Sequence, residues 1–254
     1  MEKTVLVTGA TSGIGEAAAL KFAEASDRLI ITGRRRDKLD DLAARLKNRF
    51  KTEVLSLCFD VRQLSEVEKY LGKLPDEWKE IDILINNAGL AVGLSHIDEG
   101  VTDDWDRMID TNVKGLLYVT RTIVPLMVSR GSGHIINIAS IAGKDVYENG
   151  SVYCATKHAV DALSRGMRID LLSHGIKVTN IAPGMVETEF SLVRFKGDGE
   201  KASAVYKDIE PLTAEDIADA IWYCASQPDH VCISDLVITP KYQANGMYTH
   251  RIKK

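Results

Sequence analysis

The sequence is poor in the features that mark several broad classes of protein. Only 6 of its 254 residues are proline, against 19 glycines, which excludes a collagen-like or proline-rich disordered chain. Lysine and arginine (32) nearly balance aspartate and glutamate (36), so no global positive field draws in nucleic acid or anionic lipid. No apolar run approaches the ~20 residues that span a bilayer. With 45% hydrophobic residues, the composition predicts a globular protein with a sizeable core.

Cysteine is scarce as well, and the spacing of the cysteines does not match that of a metal site. The four cysteines are scattered without a CxxC pair, which indicates reduced thiols in a reducing compartment. The first residues enter a strand-like run at once, without a basic leader or a cleavage site, so we expect a cytoplasmic protein. The six histidines form no cluster with ligand-like spacing, and no metal is expected.

Short β-branched runs alternate with longer helical patterns along most of the chain, which is typical of repeated βαβ units and a parallel sheet. Seven candidate strands span residues 4–8, 28–32, 53–59, 81–86, 134–139, 177–182 and 235–239. Six candidate helices span residues 14–25, 36–50, 65–73, 103–129, 152–173 and 214–226. Because the strands are continuous apolar runs, helices should cover both faces. The pattern predicts a single α/β domain over residues 1–254, a doubly wound sheet of about seven parallel strands.

One segment departs from this alternation. Residues 191–207 are polar and glycine-bearing, and they come just before the last candidate helix. Such long excursions are more often lids or substrate loops than plain connections. We therefore expect residues 184–210 to form a substrate loop or lid.

A glycine-rich turn follows the first candidate strand. Its glycines have GxxxGxG spacing rather than GxGxxG, and no Lys-Ser or Lys-Thr pair follows to make a triphosphate loop. Glycines permit a tight turn and let the backbone approach a pyrophosphate at the positive end of a helix. A plain strand-to-helix turn is the alternative. The residues expected to contact a dinucleotide here are Gly9, Thr11, Ser12, Gly13, Ile14 and Gly15.

The ends of the next three strands carry further candidate cofactor contacts. After the second strand come Arg34, Arg35 and Arg36, where an acid would bind a free ribose 2′-hydroxyl and guanidinium groups would bind a 2′-phosphate. We predict NADP, held by Arg34 and Arg35, against the alternative of a solvated basic turn. Asp60 could accept a hydrogen bond from adenine or cap the following helix. Small residues after the fourth strand let backbone approach a flat ligand. These later contacts are Asp60, Val61, Asn87, Ala88 and Gly89.

Tyr153 and Lys157 form the sharpest chemical signal. They lie four residues apart in a candidate helix, so they share one helix face, where the ammonium can lower the pKa of the phenol. A phenol normally ionises near pH ~10 and needs such help to act as an acid/base near neutrality. Ser140 lies thirteen residues before Tyr153, at the end of the fifth strand.

The order and spacing of these motifs resemble the short-chain dehydrogenase/reductases over essentially the whole chain. The shared motifs are the glycine turn, residues 86–89, Asn112, Ser140, the Tyr153 and Lys157 pair, and Pro183-Gly184. The arginine turn, residues 194–198 and the tyrosine-rich tail are similar to the NADP-dependent 3-hydroxy acid dehydrogenases of that family. The resemblance implies a Rossmann-type fold, NADP and a small 3-hydroxy acid of the serine, allo-threonine, 3-hydroxyisobutyrate or malonic semialdehyde type.

The resemblance also implies roles for individual residues. Tyr153 would be the general acid/base, Ser140 would polarise the substrate oxygen, and Asn112 would hold a water in a proton relay. Lys157 would bind the nicotinamide ribose and depress the pKa of the phenol. Thr188 would contact the nicotinamide carboxamide, with a helix cap as its alternative. Further cofactor contacts implied on this side are Pro183, Gly184 and Val186. Relatives commonly form tetramers, so a homotetramer is expected.

A hydroxy acid needs a cation for its carboxylate, and Arg194 in the excursion is the first candidate, with Lys196 second. A solvated surface arginine is the alternative. Within the oxidoreductases the alternative is a reductase of uncharged ketones or cyclic alcohols. A different enzyme class would use Cys154 and His158, also four residues apart, as a nucleophile and its base. A nucleotide-binding regulator on the same fold is the non-enzymatic alternative.

Overall fold

The computed structural model describes residues 2–25 and 27–252. Within them, seven parallel strands form one sheet in the order β3-β2-β1-β4-β5-β6-β7. The strands are β1 Thr4–Val7, β2 Arg28–Gly33, β3 Val54–Cys58, β4 Ile83–Asn86, β5 Gly133–Ile138, β6 Ile176–Pro183 and β7 Asp235–Ile238. The order reverses between β1 and β4, and Val5 of β1 pairs with Leu29 of β2 on one side and with Ile83 of β4 on the other. Ligands of such sheets bind at this switch point, beyond the carboxyl ends of the strands.

Helices cover both faces of the sheet, as predicted. They are α1 Gly13–Glu24, α2 Arg36–Phe50, α3 Leu64–Tyr70, α4 Thr102–Ile109, α5 Leu116–Arg130, α6 Ser151–Asp170, α7 Glu189–Arg194, α8 Gly199–Ala204 and α9 Ala214–Ala225. Successive strand residues point to opposite faces, so Val5 packs with Phe22 and Leu39, whereas Leu6 packs with Val67 and Ile123. Among the described residues, no helix combines the length and hydropathy that crossing a membrane requires.

Two segments differ from the predicted elements. The helix expected over residues 103–129 is divided by a π-helical turn at Asp110–Gly115, between α4 and α5. Over six residues an i to i+5 pattern leaves no distinct periodicity, so the sequence could not show it. The helix expected over 152–173 ends at Asp170 and continues as a 3₁₀ turn, Leu172–His174. The excursion contains the short helices α7 and α8, which begin at side-chain caps from Thr188 and Asp198.

Candidate active site

Tyr153, Lys157 and Ser140 lie together above the carboxyl ends of β5 and β6. Tyr153 and Lys157 are buried on consecutive turns of α6, and the Lys157 Nζ lies 5.9 Å from the centroid of the Tyr153 ring. That Nζ donates to the carbonyl of Ile138 at 2.9 Å. The Ser140 Oγ accepts from the Ala142 amide at 3.1 Å and donates to the Pro183 carbonyl at 3.4 Å. Backbone groups at the strand ends therefore hold the lysine and the serine in place.

Burial dominates the electrostatics of this group. It raises the pKa of Tyr153, while the charge of Arg194 and the neighbouring Ser140 hydroxyl act in the opposite direction. Burial also lowers the pKa of Lys157 to about 8. The net direction at Tyr153 is opposite to the lowering expected from its spacing to Lys157, because loss of solvent disfavours the phenolate and the ammonium is bonded to a backbone carbonyl. The packing, rather than the helical spacing, sets this pKa.

Asn112 lies inside the π-helical turn, and its side-chain amide makes three hydrogen bonds within the protein. Its Oδ1 accepts from the Leu90 amide at 2.8 Å, and its Nδ2 donates to the Leu90 carbonyl at 2.8 Å and to the Thr156 hydroxyl at 3.0 Å. Both amide hydrogens of the side chain are thus in use. The side chain ties the turn to α6 and to the segment after β4, so a relay water would have to bind the Asn112 backbone carbonyl or the remaining lone pair of Oδ1.

The glycine turn and the segment after β4 form one structure. Gly9 has a left-handed φ of +66°, and a Cβ on it would come within 2.9 Å of the Ala88 Cα. The Asn87 Nδ2 donates to the carbonyls of Thr8 and Gly9 at 2.9 and 3.1 Å. Within residues 2–25, the N-cap Ser12 makes no side-chain cap to α1. The first-turn amides of α1 are therefore open to an anion, which fits a pyrophosphate.

The basic residues after β2 gather at the same edge. Arg34 is half-exposed and lies 3.8 Å from the Asp60 carboxylate. Arg35 donates to the Ser12 hydroxyl at 2.8 Å and to the carboxylate of Glu189, in α7, at 2.8 Å. Lys38, which the sequence did not single out, donates to the same carboxylate at 2.6 Å. Arg34, Arg35 and Lys38 thus lie together beyond the carboxyl end of β2, and such a group of cations fits a 2′-phosphate.

Asp60 and Val61 are placed near this edge but are held by the protein. The Asp60 carboxylate accepts from the Arg62 side chain at 2.7 Å and from its backbone amide at 3.0 Å. Burial acts to raise the pKa of Asp60, but these hydrogen bonds outweigh it and lower the pKa overall. The N-cap of α3 is Gln63 rather than Asp60. Val61 is buried against Gly115, so it packs against the π-helical turn that contains Asn112.

The residues after β6 cross over the glycine turn. Pro183 is the last residue of β6, and the Gly184 amide donates to the Ile238 carbonyl at 2.7 Å. Val186 forms an isolated bridge to Leu212. The Thr188 Oγ1 accepts from the Phe190 amide at 3.2 Å, which makes Thr188 the N-cap of α7. The helix cap, which was the alternative for Thr188, is therefore present. The Thr188 methyl group also lies beside Gly13, 3.2 Å from the position that a Cβ on Gly13 would take.

Arg194 places a cation directly beside Tyr153. Its guanidinium carbon lies 5.0 Å from the Tyr153 ring centroid and 5.1 Å from that of Phe190, and its Nη2 donates to the Tyr147 hydroxyl at 2.9 Å. The Arg194 Nε is buried without a hydrogen-bond partner among the described residues. Next to it is a cavity of about 20 Å³ bordered by Trp105, enough for a water molecule. A buried, incompletely bonded guanidinium is suited to an anionic ligand.

Cys154 and His158 do not form a nucleophile and base. The Cys154 side chain is buried, and burial raises the pKa of its thiol, whereas a nucleophilic cysteine needs a lowered one. The His158 Nδ1 pairs with the Cys154 backbone carbonyl at 2.9 Å rather than with the thiol. Among residues 2–25 and 27–252, no group of three or more His, Cys, Asp or Glu side chains is arranged to hold a metal ion.

Comparison with known proteins identifies the class to which this fold and site belong. A family model described as short chain dehydrogenase matches residues 3–198. The chain therefore belongs to the short-chain dehydrogenase family, and the prediction made from its motifs is confirmed. The observed sheet order and the helices on both faces also confirm the predicted doubly wound fold.

Individual relatives narrow the class. The chain is 47% identical, over 97% of its length and 99% of the relative, to the NADP-dependent 3-hydroxy acid dehydrogenase YdfG of Salmonella typhi. It is 42% identical to serine 3-dehydrogenase of Agrobacterium fabrum, over 96% of each chain. A solved structure of the closed form of serine dehydrogenase complexed with NADP+ is 45% identical, with a TM-score of 0.91, covering 98% of this chain and 99% of the other.

Proposed function

We propose that this short-chain dehydrogenase is an NADP-dependent oxidoreductase of small 3-hydroxy acids of the serine, allo-threonine, 3-hydroxyisobutyrate or malonic semialdehyde type. The observation that carries the substrate class is Arg194, whose guanidinium lies 5.0 Å from the Tyr153 ring with a buried Nε unpaired among the described residues. A carboxylate bound there would bring the 3-hydroxyl of the same small molecule to the tyrosine. The names of the relatives at 47% and 42% identity support the same substrate class.

NADP would lie along the carboxyl edge of the sheet, where, when bound, it accepts or gives the hydride. The open amides of α1 would take the pyrophosphate, and Arg34 and Arg35 the 2′-phosphate. Lys157 has donors beyond the one given to Ile138, so it can bind ribose hydroxyls. The remaining contacts we assign to the cofactor are Gly9, Thr11, Ser12, Gly13, Ile14, Gly15, Asp60, Val61, Asn87, Ala88, Gly89, Tyr153, Pro183, Gly184, Val186 and Thr188.

Tyr153 would move the proton. During oxidation the Tyr153 phenolate would take the proton of the substrate hydroxyl, while the carbon that bears this hydroxyl gives its hydride to the nicotinamide. During reduction the neutral phenol would return that proton. Ser140, whose hydroxyl acts to lower the pKa of Tyr153, would hold the substrate oxygen. Asn112 fixes the turn through which a relay water would reach Lys157. These four residues are called below the proton-transfer cluster.

We further propose that the chain acts as a single catalytic domain in which residues 184–210 form a lid. Arg194 on α7 belongs to this lid, so closing it would deliver the cation to the substrate. A homotetramer is supported by an apolar groove between the α4 to α5 region and α6, lined by Ile109, Val113 and Ala159. Four unpaired cysteines support a reducing, cytoplasmic location. Light scattering in solution tests the tetramer.

A substrate panel tests the proposed reaction. NADPH formation is followed with L-serine, allo-threonine and 3-hydroxyisobutyrate, and in parallel with uncharged alcohols of similar size. We expect turnover of the acids and a drop of about 10-fold or more in their kcat/KM in Arg194→Met, because a charge-assisted hydrogen bond is lost. Lys201→Met, an exposed lid cation paired with Asp198, is the control. Turnover of uncharged alcohols alone would favour the ketone reductase and remove the role of Arg194.

A further inference from the structure

Glu189 brings a negative charge into the predicted phosphate site. It is the first residue of α7 in the lid, and its carboxylate accepts from the Arg35 Nη1 at 2.8 Å and from the Lys38 Nζ at 2.6 Å. These bonds, Lys38 first, hold the pKa of Glu189 down to about 2, so it is ionised at neutral pH. Glu189 thus links the lid to the two cations that would bind the 2′-phosphate of the cofactor.

The hydrogen bonds of Arg35 leave little room for a second anion. Its Nε donates to the Thr11 hydroxyl at 3.3 Å, and its Nη2 donates to the Thr11 carbonyl at 3.0 Å and to the Ser12 hydroxyl at 2.8 Å. Nη1 donates to Glu189. A guanidinium has five N–H donors, so one hydrogen remains for a phosphate unless the Glu189 carboxylate moves away. The two anions would also repel each other across the same cation.

The other end of the same short helix carries the substrate cation. Glu189 is the first and Arg194 the last of the 6 residues of α7. Arg194 reaches Tyr147 and Tyr153, whereas Glu189 reaches Arg35 and Lys38. About one turn and a half of helix thus joins Glu189 to the group that would bind the carboxylate, so a change in the bonding of Glu189 would be expected to reach Arg194.

We propose that Glu189 is a specificity-determining residue that competes with the 2′-phosphate for Arg35 and Lys38, and so ties release of the lid helix to the phosphorylated cofactor. This inference rests on the proposed function, because it takes the phosphate to bind at these cations. A 2′-phosphate displaces the carboxylate and frees α7, whereas a cofactor with a 2′-hydroxyl leaves the ion pairs intact. Glu189 therefore weakens NADP binding, although it lies among basic residues.

Glu189→Gln tests the competition, because it keeps the shape and removes the charge. Dissociation constants for NADPH and NADH are measured by nicotinamide fluorescence, without substrate. We expect NADPH to bind about three- to tenfold more tightly, since a partly exposed ion pair no longer opposes it, with NADH changed less than twofold. The gain should shrink at high salt. Glu187→Gln, an exposed carboxylate two residues earlier, is the matched control and should change neither constant.

The lid is tested with fragments that contain no nicotinamide. Hydrogen exchange of the α7 amides should rise when 2′,5′-ADP is added and stay unchanged with 5′-ADP, and in Glu189→Gln it should be high from the start. Weaker or unchanged NADPH binding in Glu189→Gln, or an equal change for NADH, would overturn the inference. If Arg35→Gln leaves the preference for NADPH over NADH intact, the phosphate assignment itself is wrong, which distinguishes the two failures.

Discussion

The proton-transfer cluster and the lid are held by different kinds of interaction. Asn112 and Lys157 are buried and bonded to backbone groups at distances of 2.8 to 2.9 Å. The lid also has backbone bonds, such as the one from the Gly93 amide to the Arg194 carbonyl at 2.9 Å, but it is further fastened by side-chain ion pairs. These run from Glu189 to Arg35 and from Lys196 to Asp104, and the Glu189 and Lys196 side chains are 40% and 52% exposed. The Glu189 pair is exposed on both sides and contributes about 0–1 kcal/mol, whereas the Asp104 carboxylate of the other pair is buried.

This difference separates two requirements of the reaction. Proton transfer needs groups that stay in place, because small displacements cost rate. Substrate entry needs a segment that can open and close again, and the weak ion pairs of the lid allow such a movement. The cavity beside Arg194, about 20 Å³, has room for a water but not for a hydroxy acid, so we expect the guanidinium and its helix to move when a substrate enters. The variants below test whether the two regions are separable.

The largest effect is expected in the proton-transfer cluster. Tyr153→Phe removes the hydroxyl and leaves the ring, so kcat should fall by about 10²- to 10⁴-fold, while the dissociation constant of NADPH changes less than threefold. Steady-state rates and fluorescence titration measure the two quantities. Turnover within a factor of ten of the unmodified enzyme would refute the acid/base role and the fixed cluster with it.

A smaller effect is expected at the cofactor edge. Arg34→Gln with Arg35→Gln removes two guanidinium groups, and the KM for NADP should rise by about 30-fold or more, since each lost charge-assisted hydrogen bond weakens binding. The KM for NAD should change little. Kinetics with both cofactors make the comparison, and Arg49→Gln, at the far end of α2, is the control. Equal losses with both cofactors would indicate a general defect of the fold.

The buried core predicts a pH dependence of stability. His134 is a residue of β5 and pairs with Lys177 of β6, and burial lowers its pKa from 6.5 to about 3. The unfolded chain therefore binds this proton first, and the free energy of unfolding should fall as the pH drops from 6.5 towards 3, by about 2 kcal/mol at pH 5. Urea unfolding at pH 7 and 5 should show a smaller fall in His134→Gln than in the exposed control His174→Gln. Equal falls would contradict the buried, neutral imidazole.

The smallest effect is expected from one lid ion pair. The Lys196 Nζ lies 2.8 Å from the buried carboxylate of Asp104. Lys196→Met should raise the KM for the hydroxy acid about two- to fivefold by loosening the lid, with kcat unchanged. Parallel kinetics with Lys201→Met provide the control. A fall in kcat as large as that of Tyr153→Phe would show that the lid is part of the fixed site.

The sequence predicts best the parts that depend on local spacing. The glycine turn follows its strand and opens α1 because Gly9 provides a left-handed φ and close approach to Ala88. Tyr153 and Lys157 lie on one face of α6 because four residues make about one helical turn. Strands and helices are recognisable because buried parallel strands are continuously apolar. These features require only neighbouring residues, so a single sequence contains them.

The remaining features depend on contacts between distant parts of the chain. Glu189 meets Lys38 across 151 positions, and Arg194 meets Tyr147 across 47, which no local pattern encodes. The direction of the Tyr153 pKa follows from burial, which only the packed structure determines. The sequence showed that Arg34 and Arg35 could bind a phosphate, but it did not show that the Glu189 carboxylate pairs with Arg35.

The most direct test of the central claim is the structure of a complex with NADP and a 3-hydroxy acid. Two distances decide it: from the Arg194 guanidinium to the substrate carboxylate, and from the Tyr153 Oη to the substrate hydroxyl oxygen. Both should be about 2.6–3.2 Å. A carboxylate facing solvent, or a hydroxyl more than about 5 Å from the phenol, out of hydrogen-bond reach, would contradict both the substrate class and the role of Tyr153.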